Sequence, residues 1–496
     1  MSGIDNSPEQ TVPLGMVGST KFGRYPKISI EQTFNMYISD GFLVPFAGYV
    51  GVASVQNSQQ GRGIYASTKL QKAVVVIDNG VYLFDPFNNN QLQKIATINS
   101  TVGDVFMDEN NANQIALCDK RNIYILNYTD PNNITFVQVD TDFTPGYVSF
   151  QDGYFIAPDV KSPPTAAWRL SEPNKGTSWP NLGPNSGGFQ TKPNLCLAAI
   201  RMPSKSNELV IFGQTVTELW YDTGAQLFPY QKNSYANLDF GCLNPATIAS
   251  NDDMIVFLAA NEKSGPTIMV MNGAEATQIS TDGINHRLTH LTNPEDSYGF
   301  LFRQGGHNFY ILTFPTDNLT YVYDFTQQAF FTLTDENMDY FIAKHVAFLN
   351  NTYYFVSFQD GVVYELNSNY TNYNGARIPR IRITPPFRNE RADRFVVNNV
   401  TFTMEQGQSS NAEQKTLQGI VPLPENWNYD HVDLAISTDG GESFGSFVTK
   451  QLNPPGVRKN RLNFWNLGAS NDLTMQFQFW SNYRQVIGEG VMSLYR

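Results

Sequence analysis

Short apolar and aromatic runs with a period of two recur along almost the whole chain, each bounded by Asn, Asp, Gly or Pro. That alternation is the mark of half-buried strands, and the bounding residues are those that tolerate tight turns. Residues 73–77, 81–84, 123–126, 309–314 and 353–358 are clear cases, and no segment shows a convincing helical period. The chain is therefore expected to be all-β.

The turns recur. Strand–turn–strand units turn near Lys69, Asn110, Asp152, Asn207, Asn251, Gly305 and Asn350, at spacings of 41, 42, 55, 44, 54 and 45 residues. Several strands per repeat of about 40–50 residues predict the blades of a β-propeller. The outgoing strands share an aromatic residue followed by Asp or Asn: Val81-Tyr82-Leu83-Phe84-Asp85, Ile123-Tyr124-Ile125-Leu126-Asn127, Leu219-Trp220-Tyr221-Asp222, Tyr321-Val322-Tyr323-Asp324 and Val363-Tyr364-Glu365-Leu366-Asn367. About seven blades fit, with six or eight open if a long unit is split or the N-terminus adds one.

Past residue 374 the pattern changes. Residues 376–394 are basic and contain proline, 405–428 are polar, and longer strands are expected at 395–404, 432–437, 461–465 and 473–480. The expected division is an N-terminal arm over 1–40, a propeller over 41–374, and a basic connector with a C-terminal β-sandwich-like domain over 375–496.

At 496 residues the chain is too long for one ordinary core. Charged residues make up only 16%, which suggests surface covered by partners, while 35 Phe and 25 Tyr exclude a disordered chain. A net charge of −12 argues against general binding of phosphate backbones or anionic membranes. No apolar run is long enough to span a bilayer, so no membrane insertion is expected. The N-terminus is polar, with Asp5, Pro8 and Glu9, and does not read as a signal peptide. Cys118, Cys196 and Cys242 are far apart and odd in number, which fits small buried thiols in a reducing cytoplasm.

In order along the chain stand Val44-Pro45-Phe46-Ala47-Gly48-Tyr49, Gly61-Arg62-Gly63-Ile64-Tyr65, Trp220-Tyr221-Asp222-Thr223-Gly224, Phe228-Pro229-Tyr230, Gly241-Cys242 and Gln278-Ile279-Ser280-Thr281. They are followed by the strand 307–315, Thr320-Tyr321-Val322-Tyr323-Asp324, 437–441 and Asn463-Phe464-Trp465-Asn466-Leu467-Gly468. In this order the chain resembles the packaged-DNA stabilisation or tail-hub proteins (tail accessory factors) of short-tailed bacteriophages, the podovirus type. Tyr321 departs from the family, which usually has Trp there, and Phe257-Leu258-Ala259-Ala260 replaces a more Trp/Gly-like segment. The resemblance implies a virion tail protein, assembled in the host cytoplasm as a homo-hexameric ring. It would lie below portal and adaptor proteins and beside a tail needle or tailspikes, on the conduit for DNA ejection.

Candidate chemistry is thin. Ser437-Thr438-Asp439-Gly440-Gly441-Glu442-Ser443-Phe444 reads like the Asp-box of propeller glycosidases. There the Asp, Gly440 and Gly441 would build a hairpin, with the carboxylate binding backbone amides. Glycoside cleavage needs two facing carboxylates, and the pairs Asp252-Asp253 and Asp335-Glu336 are expected to be solvated turn residues. The propeller arginines Arg62, Arg121, Arg169, Arg201, Arg287 and Arg303 show no clustering. His286 and His290 have helical i, i+4 spacing but lack a flanking Glu, and His307, His345 and His431 add no metal motif. No catalytic, cofactor or metal site is expected.

The densest positive segments are Arg377 to Arg394 and Arg458-Lys459-Asn460-Arg461. Arg380, Arg382, Arg388, Arg391 and Arg394 are expected at a subunit interface, in preference to the alternative of facing DNA. Packaged DNA would pass nearby without sequence-specific binding. Two other readings stay open, a receptor-binding or glycan-cleaving propeller and a host scaffold that binds peptides.

Overall fold

The computed structural model describes residues 10–25, 30–161, 165–180, 185–203, 205, 207–225, 228–389, 393–406, 413–416, 419–422, 430–453, 459–481 and 483–495. Seven antiparallel meanders run over residues 61–97, 106–139, 149–188, 196–238, 241–278, 298–332 and 345–367. They are the seven blades of a propeller. Their first strands pack side by side in a ring, and the His345–Leu349 strand of blade seven returns to the Gly61–Ser67 strand of blade one.

The seven turns read from the repeat all fall between the first and second strands of successive blades. Residues at positive φ explain their composition. Gly305 and Gly306 (57° and 84°) and Asn350 and Asn351 (52° and 60°) form two-residue hairpins in the twist that suits antiparallel strands. The aromatic–Asp/Asn strands are the third strands of blades one, two, four, six and seven. Second and third strands are buried on both faces because a blade lies on each side; 73–77 is withdrawn from solvent throughout.

Blade seven draws only three strands from its own segment. Gly48–Ser54 pairs antiparallel with Val362–Asn367 and supplies the fourth, so the two ends of the repeat array are sewn into one sheet. Tyr49 anchors this closure, stacking on Tyr373 at 4.5 Å and meeting Phe355 and Tyr364 edge-on. Ring closure leaves the disc without a free end to fray.

The Gly-Arg-Gly motif serves the adjoining seams. A β-carbon on Gly61 would lie 2.4 Å from Val356 of blade seven, and one on Gly63 would lie 2.5 Å from the Val105 carbonyl at the start of blade two. Between them Arg62 is buried and donates to the carbonyls of Asp78, Ser100, Val102 and Gly103 and to the Ser100 hydroxyl.

The expected N-terminal arm is corrected. Residues 10–45 carry four strands, and with the C-terminal strands they build a two-sheet sandwich. One sheet contains Met36–Ser39, Phe42–Pro45, Gln485–Tyr495, Phe395–Gln406 and Lys459–Ser470 in that order, with Gln10–Pro13 beside Gln485–Tyr495. The other contains Gln32–Phe34, Arg380–Ile383, Thr474–Trp480, His431–Ser437 and Val448–Gln451. Phe402, Phe464, Phe477, Met475, Leu43 and Met36 fill the layer between them. Phe34 pairs in parallel with Thr332, the last strand of blade six, so one nine-stranded sheet runs from propeller into sandwich.

Candidate functional site

The propeller's first strands line a central channel. On the side of the strand 1–2 turns it opens into a cavity of about 610 Å³, bordered by Tyr65, Lys69, Met107, Asp108, Ser149, Arg201 and Asp252 among others. Deeper in, a hollow of about 260 Å³ is walled by Ile64, Phe106, Tyr147, Ile248, Phe300 and Val346. Lys344, His345 and Ser250 also line it, so apolar side chains alternate with polar ones there.

Charges gather at two levels. Asp104, before blade two, meets Lys344 at 2.6 Å, Lys120 at 3.1 Å and His345 at 3.3 Å, tying blades two and seven together. Burial opposes its ionisation, but the His345 contact and the two lysine charges outweigh that and hold its carboxyl well below the usual range. Asp108 stands in contrast. Burial pushes its carboxyl up to about 6, against the pull of the backbone N–H groups of Glu109 and Phe150, which it accepts at 2.8 and 2.7 Å. Neither cluster was legible in the sequence, since Asp104 and Lys344 are 240 residues apart and meet only when the ring closes.

The arginine segment divides. Arg382 is fully buried and donates to the carbonyls of Gly15, Met16 and Ser19, to Thr33, and to Glu31 at 2.7 Å. Arg380 is also buried; it donates to the Ser481 and Thr371 carbonyls, and burial pulls its pKa down to about 10. Both guanidinium groups bond within their own chain, so the expectation that they face a neighbouring subunit is corrected. The physical reason is that 380–383 is a central strand of the sandwich, not a connector. Arg388 pairs with Asp472 at 2.5 Å and is half exposed, Arg394 is exposed, and Arg391 lies outside the described residues.

Asp439 occupies the expected hairpin. Its carboxylate accepts from the Ser437 hydroxyl at 2.6 Å and from the Ser443 N–H and hydroxyl at 3.0 and 2.5 Å; these bonds hold its pKa below the ordinary range. Gly440 and Gly441 take φ of 80° and 94°. A β-carbon on Gly441 would lie 2.3 Å from Ile30.

Asp252 and Asp253 are exposed in the first turn of blade five. Asp335, expected to be solvated, is instead buried and accepts the N–H groups of Asn337 and Asp339, capping its own turn. Arg62 is buried, Arg169 lies against Asp159, Arg287 covers Phe22 and Arg201 borders the channel mouth, so these arginines do not converge. His286 and His290 stack at 4.4 Å on the short helix Asp282–Leu288 and its C-terminal turn. Among the described residues no group of three or more His, Cys, Asp or Glu is placed to hold a metal ion. The three cysteines are buried and free. Ala167–Leu170 and Ser186–Gly188 are the outer strands of blade three, and Trp179 between them is buried against its own propeller, while most of 405–428 lies outside the described residues.

The family model described as "Bacteriophage P22 Gp10, beta-propeller" matches residues 22–371, which spans the ring and its closing strand. The chain belongs to this phage stabilisation family. It is a phage β-propeller protein of DNA stabilisation, and the P22 Gp10 family match covers every blade seen here. Among curated protein sequences none matches. Similar solved structures include a streptogramin B lyase (11% identity, 65% of this chain and 98% of that one, TM-score 0.44). Another is a catalytically inactive variant of virginiamycin B lyase from Staphylococcus aureus with quinupristin (10%, 65% and 99%, 0.45). A third is the N-terminal domain of Nup159 (10%, 68% and 98%, 0.40).

Proposed function

We propose that the protein is a tail hub of a short-tailed phage, joining head to tail, retaining packaged DNA and forming part of the ejection conduit. The observation that carries this reading is the family match over a closed seven-bladed ring. A disc sewn shut by its own N-terminal strand is stiff, and its sheet continues into the sandwich, so load on one layer passes to the other. The role is mechanical and not catalytic. The acid surplus favours a wall past which DNA slides, since each phosphate neutralised by Lys or Arg adds salt-sensitive affinity. Subunits assemble as a hexameric ring between portal or adaptor proteins and the needle or spikes.

Cryo-electron microscopy of intact virions tests the placement, with density for the disc and sandwich expected directly below the portal. Heads assembled without the protein are expected to release DNA to added nuclease. Density confined to the tail periphery, with DNA retained in its absence, overturns the reading. Hydrolysis of host polysaccharide by the purified protein would favour the glycan-cleaving alternative.

A further inference from the structure

We propose that the turn-side mouth of the propeller channel is a docking site for a partner polypeptide loop that presents a lysine or arginine side chain to Asp108. This goes beyond the hub reading and does not depend on where in the virion the protein lies.

The mouth is a built site. Asp108 accepts two backbone N–H groups and lies in hydrogen-bond contact with the Tyr65 side chain; these neutral groups aim its carboxylate without neutralising it. Among the described residues it has no ion-pair partner, whereas Asp104 lower in the ring has several. The nearest lysine, Lys69, is engaged elsewhere, donating to the Asn110 carbonyl at 2.9 Å and lying 4.0 Å from Glu109. Beside Asp108 on the next blade, Ser149 is 6% exposed, lines the cavity, and its hydroxyl has no hydrogen-bond partner. Asp108 is half-buried and feels the charge of the exposed Arg201 across the cavity without forming an ion pair, while the buried Ser149 hydroxyl is costly until a partner arrives.

The walls select the kind of donor. Met107, Ile200 and Ile248 border the cavity, a surface for the alkyl stem of lysine or arginine whose charged tip reaches Asp108. The propeller segment 41–374 contains 17 basic and 30 acidic residues, so its field draws in a cation. The size argues for a loop in place of a free amine. The cavity adjoins a second hollow of about 640 Å³ through Ser250, Asn251 and Asp252. That hollow carries Arg303, Tyr353 and Phe348, the last 52% exposed. Together they make a depression crossing from blade one to blade seven, wider than one small molecule fills.

The test uses the full chain labelled with ¹³C-methyl methionine, the Met107 signal being assigned through Met107→Leu. The probe is the capped peptide Gly-Ser-Gly-Lys-Gly-Ser-Gly, with its acetyl-lysine counterpart, spermidine and calcium chloride as separate arms. The lysine peptide is expected to shift the Met107 methyl and the acetylated peptide to leave it in place. Asp108→Asn and Asp252→Lys are expected to weaken the response about fivefold or more, and Arg201→Ala to strengthen it. Should Asp108→Asn fail to fold, Asp252→Lys and Arg201→Ala still decide, because both residues are exposed. No Met107 shift at millimolar peptide, an equal shift with acetyl-lysine, or indifference to Asp252→Lys overturns the proposal. Saturation by spermidine or calcium at concentrations where the peptide has no effect would make this a small-cation site and likewise overturn it.

Discussion

Arg382 and Arg388 lie six positions apart in one basic segment, yet their surroundings give them opposite roles. Arg382 is a buried ion-pair member that holds residues 15–19 and 31–33 onto the sandwich, while Arg388 pairs at a half-exposed surface. Arg382→Ala leaves the carbonyls of Gly15, Met16 and Ser19 without their donor and Glu31 with only the exposed Lys21 at 3.1 Å, so it is expected to cost about 3–5 kcal/mol. Arg388→Ala is expected to cost less than about 1 kcal/mol, because solvent screens the pair. Urea unfolding midpoints of the two variants check this, and similar midpoints would refute it. Asp108 sets a pH dependence. Its pKa is raised on folding from 3.8 to about 6, so the stability it contributes is full below the unfolded value and is lost as pH rises through the folded one. The stability difference between wild type and Asp108→Asn is therefore expected to change by up to about 3 kcal/mol between roughly pH 4 and 6. A flat difference across that window would show that the carboxyl is better solvated than its position implies.

Among the elements, Gly48–Ser54 carries the most consequence for its length, because seven residues close the ring. Tyr49→Ala is expected to cost about 3–5 kcal/mol, in the range for deleting a large buried ring. It should lower the thermal midpoint while leaving a single transition, since a closed array has no end from which to unravel. A separate early transition for blade seven would show that closure is dispensable. The third strands of five blades and all seven strand 1–2 turns were legible, because local period and turn chemistry specify them. The Pro-Phe-Ala-Gly-Tyr segment was legible as a motif, but its partner, 362–367, is more than 300 residues away. Nothing local in 380–383 separates a surface connector from a central strand; its neighbours on either side, 32–34 and 474–480, decide that.

For the whole molecule the charge is divided by domain. Against the acidic propeller, residues 375–496 hold 13 basic and 11 acidic residues. Like propellers in a ring repel one another unless cations stand at the seams, and screening over about 8 Å leaves close contacts as the ones that matter. With Arg380 and Arg382 committed internally and Arg388 paired with Asp472, the exposed candidates include Arg394 and Arg461. The double variant Arg394→Glu with Arg461→Glu is expected to reduce incorporation into virions, counted by negative-stain microscopy, with an unchanged thermal melt of the free protein. Normal incorporation would remove these two arginines from the seam.

The amino-acid pattern by itself determined the all-β class, the repeating units and the Asp439 hairpin, since each depends on residues within a few turns of one another, while the count of seven blades was fixed by the sheets and the closing strand. The sandwich's use of residues 10–45, the closing strand, the burial of Arg380 and Arg382 and the two carboxylates of the channel were decided only by tertiary structure. Each of these joins segments hundreds of residues apart, and a side chain's solvation, which sets whether an arginine faces a partner or a carboxylate keeps its proton, is a property of that assembled surrounding.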